Sequence, residues 1–317
     1  MTHGTQAGVR PPAPAAPPGL DAAGRVPAGP IAPGFPPPAL PGTQGLLPGT
    51  RRRRPLWHLD TGGDGEPVVL LHPGVGDLRL WAHQVRALAD AGYRVVAYDR
   101  PGHDRSPASA PPGDRAARPE ADVDDLVGVA AELSLGRFHL VGTAQGARIA
   151  AGFARRRPAD LRSLVLASAT LFTACASGGR PPGAPAALPP GFPALPAWFR
   201  ELGPAYRQAD PGGVLRWLEI TGTGKAADGT DAGSSPASPP PPPAPGSGAD
   251  PAGGFPGPGL ALTGDADPFA PPPACRAYAA GRPGWSAAII PESGHSPFWE
   301  RPDLFSAALL GFLRGRA

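Results

Sequence analysis

The chain of 317 residues contains 49 proline and 45 glycine residues, and its 29 basic and 26 acidic side chains give a formal net charge of +3. Outside the run Arg51–Arg54, which we interpret as a solvated junction, the basic residues are not clustered, and this argues against nucleic-acid binding. The two cysteines, Cys175 and Cys275, fit neither a metal spacing nor a disulfide framework, so we expect a reduced, cytoplasmic setting.

The chain begins with a proline-, alanine- and glycine-rich stretch, residues 1–54, that has few apolar side chains to bury. Proline removes backbone hydrogen-bond donors, so we predict a disordered tail followed by one domain over residues 55–317. This start has no apolar core of a signal peptide, and no window approaches 18 consecutive apolar residues, so neither secretion nor a membrane span is expected.

Buried strands and amphipathic helices then alternate along the domain. Leu56–Asp60 is predicted to be a short edge strand. The further predicted strands are Pro67–Leu71, Tyr93–Tyr98, Phe138–Val141, Leu161–Leu166, Gly259–Thr263 and Ser286–Ile290. The predicted helices are Leu80–Ala91, Asp122–Leu135, Gln145–Arg156, Pro272–Gly281 and Asp303–Leu313. This order predicts a parallel sheet covered on both faces, with ligands at the carboxyl ends of the strands.

One interruption separates the fifth and sixth of these strands. Residues 172–225 combine proline-rich sequence with two helical segments, and we predict a lid over the site. Residues 226–258 have low complexity, with five consecutive prolines at 239–243, and are predicted to be a disordered insertion.

The segment Phe138–Ala150 has the strand, turn and helix pattern of a nucleophile elbow, G-x-S-x-G. Its centre is Ala144 instead of serine. A methyl group cannot attack a carbonyl carbon, so no covalent acyl intermediate is expected at this position. The nearby Thr143, Ser168 and Cys175 are alternatives that we consider improbable.

Five segments in chain order resemble motifs of the α/β-hydrolase superfamily, of the AB hydrolase-1 type. They are His72-Pro73-Gly74 followed by Trp81, Asp99–Ser106 with Asp104 in place of a glycine, Gly142–Gly146, Gly264–Asp267, and Gly294–Phe298. The resemblance covers residues 56–315 apart from the proline-rich insertion. It implies an α/β-hydrolase fold, with a mostly parallel, doubly covered sheet and a helical lid insertion.

The resemblance also implies roles for individual residues. Asp267 would orient His295, which would act as the base, and Asp265 is the second choice for the acid. The backbone N–H of Gln145 and one from the His72 loop would form an oxyanion hole. In that loop Pro73 has no N–H, so Gly74 is the expected donor.

Trp81 and Phe298 are candidate pocket residues that would favour a small apolar partner, although aromatic residues of this kind more often belong to a core. No metal or other cofactor is expected, because no ligand cluster and no G-x-G-x-x-G segment is present. Three functions stay open. The first is an enzyme that uses His295 and Asp267 without a serine, the second an inactive relative that binds a small ligand, and the third a protein-binding module.

Overall fold

The computed structural model describes residues 37–47, 55–107, 119–174, 188–222, 252 and 254–315. The predictions for residues 1–36, for the arginine run and for most of the proline-rich insertion lie outside the described residues. The described part forms one eight-stranded sheet with helices on both faces, which confirms the predicted α/β class.

The strands are β1 (Thr43–Leu47), β2 (Leu56–Asp60), β3 (Pro67–Leu71), β4 (Arg94–Tyr98), β5 (Phe138–Thr143), β6 (Leu161–Ala167), β7 (Gly259–Gly264) and β8 (Trp285–Ile290). Their order in the sheet is β1-β2-β4-β3-β5-β6-β7-β8. β1 and β2 pair antiparallel, as do β2 and β4, and every other neighbouring pair is parallel. The carboxyl ends of β3 to β8 therefore meet along one edge.

The helices are α1 (Ala82–Asp90), α2 (Pro119–Glu132), α3 (Gln145–Arg156), α4 (Leu171–Ala174), α5 (Ala197–Glu201), α6 (Pro204–Ala209), α7 (Pro211–Gly222), α8 (Pro272–Ala280), α9 (Pro297–Glu300) and α10 (Pro302–Arg314). Among the residues that the structure describes, none of the helices combines the length and the hydropathy that a membrane span requires.

Two hydrophobic cores lie on opposite faces of the sheet, because successive side chains of a strand point to opposite faces. In β3, Val69 and Leu71 belong to the core under α2, α3 and α8. Val68 and Leu70 belong to the core under α1 and α10. All four are fully buried, which explains why the strand is a continuous apolar run instead of an alternating one.

Two boundaries differ from the sequence analysis. Thr43–Leu47 forms a strand inside the stretch predicted to be disordered, since it pairs with β2 over five residues and buries Leu47. Leu56–Asp60 is consequently flanked on both sides and is not the edge strand. Near the other boundary, Ala252 and Phe255 are buried in the core, although both lie within the predicted insertion. In both places, a few apolar side chains reach the core from proline- and glycine-rich surroundings.

Between β6 and β7, the short helices α5, α6 and α7 form a cap, defined here as residues 188–222. The cap buries Leu202, Tyr206 and Trp217 in the same core as α1 and α10. Apolar burial of this kind, at roughly 25 cal/mol per Å², holds the cap on the body of the domain.

Candidate active site

The turn between β5 and α3 has the geometry of a nucleophile elbow. Ala144 has φ 48° and ψ −111°, a conformation that L-residues rarely adopt and that costs roughly 1–3 kcal/mol. A β-carbon on Gly142 would lie 2.4 Å from the carbonyl oxygen of Gly146, and one on Gly146 would lie 2.3 Å from that of Leu71. The two glycines therefore permit a turn that is tight enough to strain the residue between them.

The loops after β7 and β8 bring Asp267 and His295 together. Nδ1 of His295 lies 2.8 Å from Oδ1 and 2.9 Å from Oδ2 of Asp267. The carboxylate also accepts hydrogen bonds from the hydroxyl of Thr263 and from the backbone N–H groups of Phe269 and Ala270. These donors fix the carboxylate and, through it, the orientation of the imidazole ring.

The alternative acid, Asp265, has a different contact. Its Oδ1 accepts a hydrogen bond from the backbone N–H of Ser293 at 3.2 Å. Asp265 therefore joins the loop after β7 to the loop that carries His295, and Asp267 is the carboxylate that contacts the ring.

The cap contributes a second carboxylate to His295. Oε2 of Glu201, at the end of α5, lies 3.9 Å from Nε2 of His295, on the side of the ring opposite Asp267. The backbone N–H of His295 donates to the carbonyl oxygen of Glu201 at 2.7 Å. No sequence motif relates these two residues, and only the folded cap brings them together.

A third carboxylate, Glu300 in α9, is buried beneath the His295 loop. It accepts hydrogen bonds from the backbone N–H groups of Gly294 and Ser296 and from that of Gly203 in the cap. One side chain thus ties both neighbours of His295 to the cap. No motif in the sequence predicts this role for Glu300, whose position five residues after the histidine is the one signal that the sequence offers.

These carboxylates decide the protonation of the site. Burial alone would lower the pKa of His295, but Asp267, Glu201 and Glu300 together raise it to about 9. Burial opposes ionisation of Asp267, yet His295 and the backbone donors hold its pKa below the usual value. At neutral pH the pair is therefore an imidazolium and a carboxylate.

Burial also raises the pKa of the other two carboxyl groups. The pKa of Glu201 lies above its usual value, because burial and the charge of Asp267 outweigh the attraction of His295. Burial raises the pKa of Glu300 to about 7 against the effect of its backbone donors. Both groups therefore ionise less readily than an exposed glutamate.

The two predicted oxyanion-hole residues are neighbours at the edge of the elbow. Both are exposed, and a β-carbon on Gly74 would lie 2.9 Å from Oε1 of Gln145. His72 is fully buried behind them, with Nδ1 2.8 Å from the carbonyl oxygen of Pro73 and Nε2 accepting the backbone N–H of Arg100. Burial holds the pKa of His72 well below its usual value, so His72 is a neutral residue that supports the loop.

The structure places Trp81 and Phe298 in the hydrophobic core, the alternative that the sequence analysis left open. Both side chains are fully buried, and their rings lie 4.8 Å apart. Phe305 completes the cluster at 6.1 Å from Trp81 and 6.2 Å from Phe298. A ligand would have to disturb this packing to contact either ring.

The two alternative hydroxyl groups that the structure describes are inaccessible. Thr143 and Ser168 are both 0% exposed. Within the described ranges, their hydroxyl oxygens have no hydrogen-bond partner. Cys175 lies outside the described residues.

A different Ser–His–carboxylate array lies near the amino ends of β5 and β6. Nδ1 of His139 is 2.7 Å from Oγ of Ser163, and Nε2 is 3.1 Å from Oε2 of Glu66. Ser163 is 0% exposed, so no substrate reaches its hydroxyl. We interpret this array as a satisfied, partly buried hydrogen-bond network. Among the described residues, no group of three or more His, Cys, Asp or Glu side chains is placed to hold a metal ion.

Comparison with known proteins agrees with this architecture. A 2-hydroxy-6-oxononadienedioate/2-hydroxy-6-oxononatrienedioate hydrolase from Burkholderia vietnamiensis is 38% identical over 110 residues, which are 34% of this chain and 37% of that relative. The chain thus matches less than two fifths of the length of this curated relative.

Two solved structures share the fold. An esterase from Thermogutta terrifontis superposes with a TM-score of 0.63 at 23% identity, over 87% of this chain and 99% of that one. An enol-lactonase from Burkholderia xenovorans LB400 superposes with a TM-score of 0.62 at 20% identity, over 85% of this chain and 100% of that one. The model of the alpha/beta hydrolase family matches residues 68–308, which include the elbow, Asp267 and His295. The chain therefore belongs to the alpha/beta hydrolase family.

Proposed function

We propose that the protein hydrolyses a small apolar molecule with an ester-type or other reactive carbonyl group, through His295 and Asp267 and without a covalent intermediate at residue 144. The observation that carries this proposal is the contact of Nδ1 of His295 with both oxygens of Asp267. A serine is not needed for this pair to move protons between water and a leaving group.

The surroundings of the pair support catalysis. Asp267 is fixed by three donors, and His295 is 6% exposed beneath the cap, so water around the ring is restricted. In a restricted site, electrostatic interactions are stronger than in bulk water. Gly74 and Gln145 are the proposed donors to the carbonyl oxygen, and their proximity supports a shared oxyanion hole.

The name of the Burkholderia vietnamiensis relative supports a substrate with a carbonyl group. Substrates with carbonyl groups also suit cofactor-free lyases or cyclases, which need proton transfer but no acyl-enzyme. We therefore include such reactions in the proposed class.

The alternative is an inactive family member that binds a small ligand or a protein partner. Ala144 is the observation that favours it, because the elbow is intact and its central side chain is unreactive. Binding would then use the same site beneath the cap.

A panel of p-nitrophenyl esters and lactones distinguishes the two functions. We expect turnover by the wild type and, on the lactones, whose alkoxide leaving group needs a proton, a loss of roughly 10²-fold or more in His295→Ala, the usual contribution of general acid–base catalysis. Turnover by Ala144→Ser alone would contradict the proposal and favour the binding function. No turnover by any of the three proteins would also contradict ester hydrolysis and direct the search to ligands.

A further inference from the structure

The imidazole of His295 lies between two carboxylates of different character. Asp267 holds Nδ1, while Oε2 of Glu201 lies 3.9 Å from Nε2. This second distance suits an ion pair but is longer than a hydrogen bond. A reacting molecule at this point can therefore contact the Nε2–H group and the Glu201 carboxylate at the same time.

We propose that Glu201 is a further catalytic residue, the general base that takes a proton from the hydrolytic water while His295 donates a proton to the leaving group. This inference rests on the proposed function and assigns the two proton transfers within it. It also reverses the role that the family resemblance implies for His295.

Glu201 is the carboxylate of the cluster that is placed to accept a proton. Its side chain is 17% exposed, whereas Asp267 is 3% and Glu300 is 2% exposed as whole residues. The oxygens of Asp267 already accept hydrogen bonds from Thr263, Phe269, Ala270 and His295. Those of Glu300 accept hydrogen bonds from the backbone N–H groups of Gly294 and Ser296, on either side of His295. Of the three, Glu201 is the one that water can approach.

The charges around the site agree with these roles. Asp267, Glu201 and Glu300 face His295 and favour the imidazolium, which is an acid and cannot accept a proton. The charged groups that act on Glu201 are His295 and Arg200, which favour its ionisation, and Asp267, which opposes it. Burial raises the pKa of Glu201, and a carboxylate with a pKa closer to neutrality is a stronger base once ionised.

The reaction balances without a covalent enzyme intermediate. Glu201 accepts a proton from water as the water oxygen attacks the carbonyl carbon, and the π electrons move to the carbonyl oxygen. The tetrahedral intermediate collapses, the bond to the leaving group breaks, and Nε2 of His295 protonates the departing oxygen. The proton on Glu201 then returns to Nε2 directly or through water. The products are a carboxylic acid and an alcohol.

Two substrates with the same acyl group separate the acid from the base. The leaving group of p-nitrophenyl butyrate departs without protonation, whereas that of ethyl butyrate needs an acid. With the full-length protein, we expect Glu201→Gln to reduce kcat on both esters by roughly 10²-fold. His295→Gln should reduce kcat on ethyl butyrate far more than on p-nitrophenyl butyrate.

The pH profile on ethyl butyrate gives an independent test. If Glu201 is the base and His295 the acid, kcat/KM is bell-shaped and falls above about pH 9, where His295 loses its proton. If neutral His295 is the base, the rate rises through that pH instead. The exposed Glu219 on α7 provides a matched control, and Glu219→Gln should behave as the wild type does.

Histidine NMR titration tests the ion pair without any substrate. We expect Glu201→Gln to lower the pKa of His295 and Glu219→Gln to leave it unchanged. An unchanged pKa in Glu201→Gln, or full activity of that variant, would overturn the assignment of Glu201 while leaving the proposed function intact. If the wild type hydrolyses neither ester, ester hydrolysis fails as the proposed function and this inference fails with it.

Discussion

The backbones of Gly203 in the cap and Gly294 beside His295 are in direct contact. A β-carbon on Gly203 would lie 2.7 Å from the backbone nitrogen of Gly294, and one on Gly294 would lie 2.6 Å from that of Gly203. Glu300 lies at the same junction and accepts a hydrogen bond from both N–H groups. The position of the loop that carries His295 is thus coupled to the position of the cap.

Gly203→Ala should separate the cap from the His295 loop. The new methyl group meets backbone atoms that cannot rotate away, so we expect a loss of about 1–3 kcal/mol in unfolding free energy and a lower kcat. Gly222→Ala on the same cap is the control, because a β-carbon there has no neighbour within 4 Å. Chemical denaturation and ester hydrolysis measure both effects. Wild-type behaviour of Gly203→Ala would show that this contact is loose in solution.

Ala144→Gly should relieve backbone strain at the elbow. Glycine adopts a positive φ without the strain energy that alanine bears. We expect this relief to exceed the stability lost because glycine gives the unfolded chain more conformational entropy. We expect the free energy of unfolding to rise by about 1 kcal/mol. Ala147→Gly, in helix α3, should instead lower it by at least about 1 kcal/mol, because glycine is a poor helix former and a buried methyl group is lost as well. Equal losses in both variants would argue that Ala144 is not strained.

Glu300→Ala should destabilise the domain and weaken catalysis together. Removal of the carboxylate leaves the backbone N–H groups of Gly203, Gly294 and Ser296 without their acceptor, and each buried unpaired group costs about 1–3 kcal/mol. The loss should exceed that of the exposed Glu219→Ala in denaturant titrations. If both variants unfold at the same denaturant concentration, water replaces the carboxylate at this junction.

The fold was largely predictable from the sequence. Buried parallel strands such as Pro67–Leu71 are continuous apolar runs. The two glycines of the elbow stand where a β-carbon would clash with backbone atoms, which explains the sequence pattern. Thr43–Leu47 was missed because its two leucines stand among prolines and glycines. A five-residue strand gains its stability from pairing with β2, which no local pattern shows.

The site was predictable only in part. Asp267 and His295 lie in loops with recognisable motifs, and the structure brings them into contact. Glu201 and Glu300 have no such motif, because their effect on His295 depends on how the cap and α9 pack around the loop. The charge of the imidazole is therefore a property of the folded arrangement, and the sequence alone suggested a base where the structure favours an acid.

The free energy of unfolding should depend on pH through His295. The pKa of this residue rises from about 6.5 to about 9 on folding, so its contribution is fully present below pH 6.5 and is lost as the pH rises through 9. The difference between the wild type and His295→Gln should therefore shrink by about 3 kcal/mol between pH 6 and pH 10. Urea titrations across this range measure the difference. The raised pKa of Glu300 also lowers the stability of the wild type as the pH rises from about 4.5 to 7, and taking the difference from His295→Gln limits this contribution, because the variant keeps Glu300. A difference that stays constant with pH would mean that His295 is not held as an imidazolium, and it would weaken the assignment of this residue as the acid.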